Sequence, residues 1–221
     1  MVYMLDDEEL WFPAPGQGEK SGLMAVGGDL RPERLILAYS HGIFPWFSFR
    51  DWDMPAWYCP MKRFVIFPEE IHVSHSMRTL INSGKYRCTA DRDFAGVIRG
   101  CSLAQGRIDL DGAWLGPDMI AAYTALYEMG AAHSVEVWEA ESGALVGGLY
   151  GVQLGAGFFG ESMFSLRPSA SKLALIYLAR LAGANGWKLI DCQFETPHLR
   201  SMGGREIDYG EYMDIIREEK E

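Results

Sequence analysis

Residues 132–193 read AHSVEVWEAESGALVGGLYGVQLGAGFFGESMFSLRPSASKLALIYLARLAGANGWKLIDCQ, and this run decides the fold. It holds three short strand patterns, one helical pattern and a last strand, with no long loop between them. Ser134 to Trp138 alternates, placing Val135 and Val137 on one face and Ser134, Glu136 and Trp138 on the other. Leu145 to Val152 and Gly155 to Phe164 are the next two strands, with glycines where a backbone bends or admits a close neighbour, such as a ligand. In the helix, Ser169 stands at the N-cap position, Leu173, Ile176, Tyr177, Leu178 and Leu181 form an apolar stripe, and Gly183 and Gly186 mark the end. Lys172 falls in its first turn, where the helix dipole disfavours a cation by ~0.3–1 kcal/mol unless an anion lies nearby. Lys188 to Gln193 reads as a buried strand, projecting Asp191 and Gln193 from one face and Ile190 and Cys192 from the other. A carboxylate and an amide thus share one side of a strand end.

The 221 residues, 48% hydrophobic, suffice for one sizeable domain and a smaller one. No run approaches the ~20 apolar residues of a membrane span, and the opening MVYMLDDEEL is acidic where a signal peptide is basic, so a cytoplasmic protein is expected. Cys59, Cys88, Cys101 and Cys192 are too widely spaced for a disulfide framework or a zinc site. The net charge of -10 argues against indiscriminate nucleic-acid binding, although basic residues gather between 61 and 107.

Residues 1–59 form a unit of their own. Asp29 is placed to cap a helix with Pro32 in its first turn, and Phe44, Trp46, Trp57 and Tyr58 crowd around prolines. Such density serves either a small aromatic core or a platform for a stacked base. Beyond it, RFVIF (63–67) reads as a strand, Ser74 to Ile81 as a helix and Lys85 to Ala90 as a strand. A helix capped by Asp91 or Asp93 then runs to Arg99, Trp114 lies in a turn, and a helix covers Asp118 to Met129. The class is therefore α+β.

Familiar motifs fail. Gly160-Glu161-Ser162-Met163-Phe164 has Phe164 where a nucleophile elbow needs its second glycine, and neither a phosphate-binding loop nor a dinucleotide fingerprint is present. The histidines have no carboxylate or cysteine at a metal-ligand spacing. No cofactor and no metal are implied.

The motifs GGDL (27–30), GIFPWF (42–47), AHSVEVW (132–138), LVGGLYGV (145–152), FFGESMFS (158–165), ASK (170–172) and LIDCQ (189–193) together resemble the leucyl/phenylalanyl-tRNA–protein transferase family from about Phe12 to Tyr212. The resemblance implies a small N-terminal domain (1–59) and an N-acetyltransferase-like catalytic domain (60–221) with a splayed mixed sheet. The implied reaction moves Leu, Phe and, less efficiently, Met from aminoacyl-tRNA to the α-amino group of proteins with N-terminal Arg or Lys, in the N-end rule degradation pathway. It is a direct aminolysis, and the enzyme is expected to act as a monomer. By motif, Gln193 positions the attacking amine, Asp191 orients it and helps with the proton, and Glu161 holds the donor's ammonium or the acceptor. Leu149, Phe158, Met163 and Leu178 would line the aminoacyl pocket, with Met163 sharing a strand face with Glu161. Trp46 and Trp114 would flank the terminal adenosine, with Arg78, Lys85 and Lys172 as further tRNA contacts, the last beside helix amides that can face a phosphate. Tyr209 stands where the family usually has arginine, and His198 matches a family histidine. The alternatives are a coenzyme A-dependent N-acetyltransferase, whose pyrophosphate loop is not matched by Arg180-x-x-Gly183-x-Asn185, and a non-catalytic tRNA-binding module.

Overall fold

The computed structural model describes residues 1–47, 54–104 and 115–217. The first part builds β1 (Tyr3–Leu5), β2 (Leu23–Gly27), α1 (Pro32–Ser40), β3 (Phe44–Phe47) and β4 (Pro55–Tyr58). Its strands form a four-stranded sheet in the order β1-β2-β4-β3. The N-cap of α1 is Arg31, with Pro32 in the first turn, where its missing N–H leaves nothing unpaired. Asp29 is not the cap: its carboxylate accepts the Arg31 N–H at 3.0 Å and pairs with the Arg31 and Arg34 side chains.

The remainder comprises β5 (Lys62–Ile66), α2 (His75–Asn82), β6 (Tyr86–Ala90), α3 (Phe94–Ala104), α4 (Pro117–Glu128), β7 (Ala132–Glu139), β8 (Leu145–Leu154), β9 (Gly157–Ser165), α5 (Ala170–Ala184), β10 (Leu189–Asp191), α6 (Pro197–Ser201), β11 (Arg205–Asp208) and α7 (Tyr209–Ile216). Seven strands make one sheet in the order β11-β5-β10-β9-β8-β7-β6. Ser74 caps α2 through the Met77 N–H. Of the two candidate caps for α3, Asp93 takes the Gly96 N–H at 2.8 Å, whereas Asp91 holds the Ser134 N–H and His133. That helix runs past Arg99 to Ala104.

Among the described residues the one parallel contact in the large sheet joins β10 to β9, and α5 is the crossover that permits it. β10 has three residues, matched to Gly157–Phe159 of β9, while β9 continues to Ser165 with only β8 beside it. A gap therefore opens in the sheet after Phe159 and Asp191. The strand expected to reach Gln193 stops at Asp191, because Gln193 turns away in a left-handed conformation at φ 64°.

A second irregularity lies across the gap. Tyr150 pairs with Ser162 but Gly151 pairs with Gly160, so Glu161 is the extra residue of a β-bulge. Strict alternation would put Glu161 and Met163 on one face. Instead Phe159 and Phe164, five apart, both enter the first hydrophobic cluster, and Phe158 and Met163 both meet the second. The expected shared face of Glu161 and Met163 is thus corrected by the bulge.

The first cluster joins Met24, Tyr39 and Trp57 of the N-terminal part to Phe94, Tyr123, Phe159 and Tyr212, so both sheets share one core. The second packs α5 on the other face of the large sheet. Two of the strand glycines admit protein, since a Cβ at Gly147 would meet Ala170 Cβ at 2.5 Å and one at Gly151 would meet the Phe159 carbonyl at 2.1 Å, whereas Gly160 of β9 lines a cavity and a Cβ there would meet the Asp191 carbonyl at 3.4 Å. Among the described residues no helix is long and apolar enough to cross a membrane.

Candidate active site

The gap between β9 and β10 holds a cavity of about 320 Å³. Leu149, Met163, Leu175, Leu178, Ile190 and Leu199 make most of its wall, and Glu161, Gln193, Thr196 and His198 bring polar atoms to it. α5 supplies one apolar side because its stripe faces the sheet, and α6, capped by Thr196 on the Leu199 N–H, supplies another.

Two carboxylates stand on opposite sides of the gap. Asp191 is fully buried, and Arg63, equally buried on β5, donates to it from Nε at 3.0 Å to each oxygen and from Nη2 at 2.6 Å. Arg63 lies between the rings of Phe44 and Tyr212, at 4.8 and 4.7 Å, and its Nη1 donates to the Gly42 carbonyl. Burial opposes the guanidinium charge, and Asp191 overcomes it. The Tyr212 hydroxyl donates to Asp191 Oδ2 at 2.8 Å, and the Gln193 N–H to Oδ1 at 2.8 Å. That last bond pins the left-handed turn, a conformation that costs a residue with a side chain ~1–3 kcal/mol. Asp191 does not reach the cavity wall.

Glu161 does reach it, with 8% of its surface exposed. Tyr123 donates to Oε2 at 2.7 Å, the Tyr39 hydroxyl lies 2.7 Å from that of Tyr123, and Gln193 Nε2 donates to Oε1 at 3.2 Å. Burial pushes this carboxyl up to about 7, against the hydrogen bonds from Tyr123 and Tyr39. Gln193 is therefore the bridge between two buried polar nests.

Of the expected residues, Leu149, Met163 and Leu178 line the cavity with Glu161 and Gln193, and Phe158 does not. Its ring stacks on Trp187 at 5.5 Å, beside a separate hollow containing Asp91 and His133. Trp46 is half-buried against Phe194, the residue after Gln193, at 5.6 Å, whereas Trp57 is core and donates to the Gly27 carbonyl. The aromatic stretch thus divides residue by residue between core and rim. Trp114 lies outside the described residues.

Arg78 is on α2 and Lys85 just before the edge strand β6, where its ammonium lies over Tyr86 at 5.3 Å. Lys172 lies near His198, whose imidazole is shifted down by burial and then by that lysine. Ser169 precedes α5 at φ 68° without a side-chain cap, so the expected capping bond is absent. The Ala170 and Ser171 amides are already taken by the Arg167 carbonyl and Ser165 Oγ, leaving less of that helix end for a phosphate than the spacing suggested. Tyr209 donates to the His41 carbonyl at 2.9 Å and so ties α7 to the end of α1.

Tyr39, Tyr123, Arg63 and Tyr212 carry the site's electrostatics and were not legible as site residues. The one available signal was an arginine in the apolar run RFVIF, since a buried strand does not carry a charge without a partner.

Cys192 is the only thiol on the cavity wall among the described residues, and burial pushes it up and away from the thiolate form. A cavity walled mostly by apolar side chains, with an amide and a carboxyl at its polar side, can hold an apolar group beside atoms that accept and donate protons. The family described as leucyl/phenylalanyl-tRNA protein transferase matches residues 65–217, and its N-terminal domain matches residues 28–61. Proteins called leucyl/phenylalanyl-tRNA–protein transferase are 50% identical in Anaeromyxobacter sp. (strain Fw109-5), over 96% of this chain and 88% of that one. The corresponding figures are 51%, 90% and 82% for Nitrosomonas eutropha, and 46%, 98% and 94% for Stutzerimonas stutzeri. The chain belongs to the leucyl/phenylalanyl-tRNA–protein transferase family and is an aminoacyltransferase.

Proposed function

We propose that the protein transfers Leu and Phe, and Met less efficiently, from aminoacyl-tRNA to the α-amino group of proteins beginning with Arg or Lys. It does so as a cytoplasmic monomer in the N-end rule pathway of degradation. Residues 1–59 and 60–221 are its two domains, the second of N-acetyltransferase type. The observation that carries this reading is the apolar cavity whose polar side is the Gln193–Glu161 pair. The donor's side chain fills the chamber, and the ester carbonyl then lies at the pair, where the acceptor's amine meets it. Walls of Leu149, Met163 and Leu178 suit an unbranched or γ-branched chain, and β-branched Val and Ile are disfavoured by ~1–3 kcal/mol.

The ribose ester is already activated, so the protein orients the amine and steadies the tetrahedral intermediate. Gln193 Nε2 is engaged by Glu161, which leaves Oε1 to accept from the incoming N–H. Asp191, enclosed by Arg63, acts through Gln193 and not on the substrate. Trp46, on its Phe194 neighbour, receives the terminal adenosine together with Trp114, and Arg78, Lys85 and Lys172 meet tRNA phosphates. The test is transfer of radiolabelled Leu, Phe and Met from charged tRNA to peptides beginning with Lys or Arg. Incorporation of Leu and Phe above Met is expected, and incorporation of none of them removes this function.

A further inference from the structure

An ammonium must lose a proton before it can attack, and the site's two carboxylates are not equally placed to take it. Asp191 has both oxygens filled by Arg63, Tyr212 and the Gln193 N–H, and lies behind the cavity wall. Glu161 is part of that wall. Its Oε2 is held by Tyr123, which the Tyr39 hydroxyl supports from α1, and its Oε1 is turned toward Gln193. The charged groups acting on it are Asp191 on β10 and Arg63 on β5, the Arg63 charge being already matched by Asp191; Tyr150 on β8 feels the Glu161 charge, and His198 on α6 shares the cavity wall.

On the transferase reading, we propose that Glu161 takes the proton of the acceptor's α-ammonium and delivers it to the departing ribose 3′-oxygen, with Tyr123 and Tyr39 as the positioning residues that aim it. The freed nitrogen lone pair forms the C–N bond, and the carbonyl π pair moves to oxygen. Collapse breaks the C–O bond with its electron pair on the 3′-oxygen, which the protonated Glu161 neutralises. The second proton on the intermediate's nitrogen then returns to Glu161 and is lost to solvent, so one proton is released per transfer. Burial of Glu161 raises it to about 7 while the tyrosine hydrogen bonds stop it rising further, so carboxylate and acid forms are both populated at neutral pH.

The test follows transfer against pH from tRNA charged with phenylalanine or with its α-hydroxy analogue, phenyllactate, to an Arg-initiated peptide. Wild type, E161Q, Y123F and Y39F are compared. The acceptor amine, with a pKa of roughly 7.7–8.0, ionises identically in all four and cannot move between variants. Wild type is expected to gain rate through an enzyme ionisation near pH 7 with both donors. E161Q should lose that ionisation and about 100-fold in rate. In Y123F, and less so in Y39F, it should move to higher pH, cutting the rate at pH 7 about tenfold per pH unit moved and restoring it at high pH. The proposal is overturned if E161Q keeps the wild-type ionisation, or if the tyrosine variants lose rate equally at every pH. It is also overturned if the ionisation or the transfer itself disappears with phenyllactate, which makes Glu161 a holder of the donor's ammonium. Wild type inert with both donors at every pH sinks the transferase reading itself.

Discussion

The two polar nests flanking the gap solve the same problem, a carboxylate away from water, by opposite means. On the β10 side Asp191 is matched by a full positive charge, and the pair is closed off by Phe44 and Tyr212. On the β9 side Glu161 has hydroxyls and an amide but no cation of its own, and it faces the cavity. A compensated charge is fixed and holds geometry. One without a counter-ion has its carboxyl raised by burial, here to about 7 against the tyrosine hydrogen bonds, and can exchange a proton near neutral pH. On the mechanism proposed above, the first carboxylate builds the site and the second works in it.

The comparison breaks most easily at Arg63. R63M strips the buried Asp191 of its cation, leaving it the Tyr212 and Gln193 hydrogen bonds, and should cost about 3–5 kcal/mol in denaturant unfolding. Replacing both partners, R63M with D191L, should recover most of that stability because no charge is left unmatched. Transfer should still be lost, since nothing then holds the Gln193 N–H. A double variant that transferred leucine at the normal rate would falsify the positioning role.

On the other side, E161Q is expected to stabilise the fold, and only at high pH. Glu161 has its carboxyl raised in the folded state, so its favourable contribution is complete below the ordinary carboxylate value of 4.5 and is lost as pH rises through about 7. Relative to wild type the variant should therefore gain up to about 3 kcal/mol above pH 7 and nothing at pH 4, read from unfolding curves at both. Equal effects at the two pH values would contradict an uncompensated carboxylate.

Smaller effects sharpen the map of the chamber between the nests. M163A enlarges the wall, and the preference for Leu over Ile, as a ratio of kcat/KM, should fall by about 10-fold or more, within the ~1–3 kcal/mol a methyl group commands. F158L should leave that ratio unchanged, because Phe158 packs on Trp187 and not on the cavity. Smallest of all, K85A should lower the salt dependence of tRNA binding by a slope of about 1 and leave kcat alone.

Much of this architecture was legible in the chain. The alternation of β7, the helix read near Ser74 to Ile81, the Pro32 start of α1 and the apolar stripe of α5 are local consequences of backbone geometry, and each is found where its pattern stands. The motifs FFGESMFS and LIDCQ pointed to Glu161, Asp191 and Gln193, which do meet. What failed was strict periodicity at the places where strands end or bulge. Gln193 was read as a strand residue facing the same way as Asp191, and Met163 as sharing a face with Glu161. A turn in one strand and a single extra residue in the other redirect both.

By itself the sequence determined helix α1, the order of the elements from β5 to β10, most apolar faces and the family, because these depend on neighbours a few residues away or on runs of identical motif; the strands of residues 1–59 and the elements after Gln193 it did not show. Only the tertiary structure decided that Arg63 is spent on Asp191 across 128 residues and that Tyr39 and Tyr123 converge on Glu161 from two helices. The charge a carboxylate carries depends on what surrounds it in space, and no local pattern encodes partners brought together by the packing of distant elements.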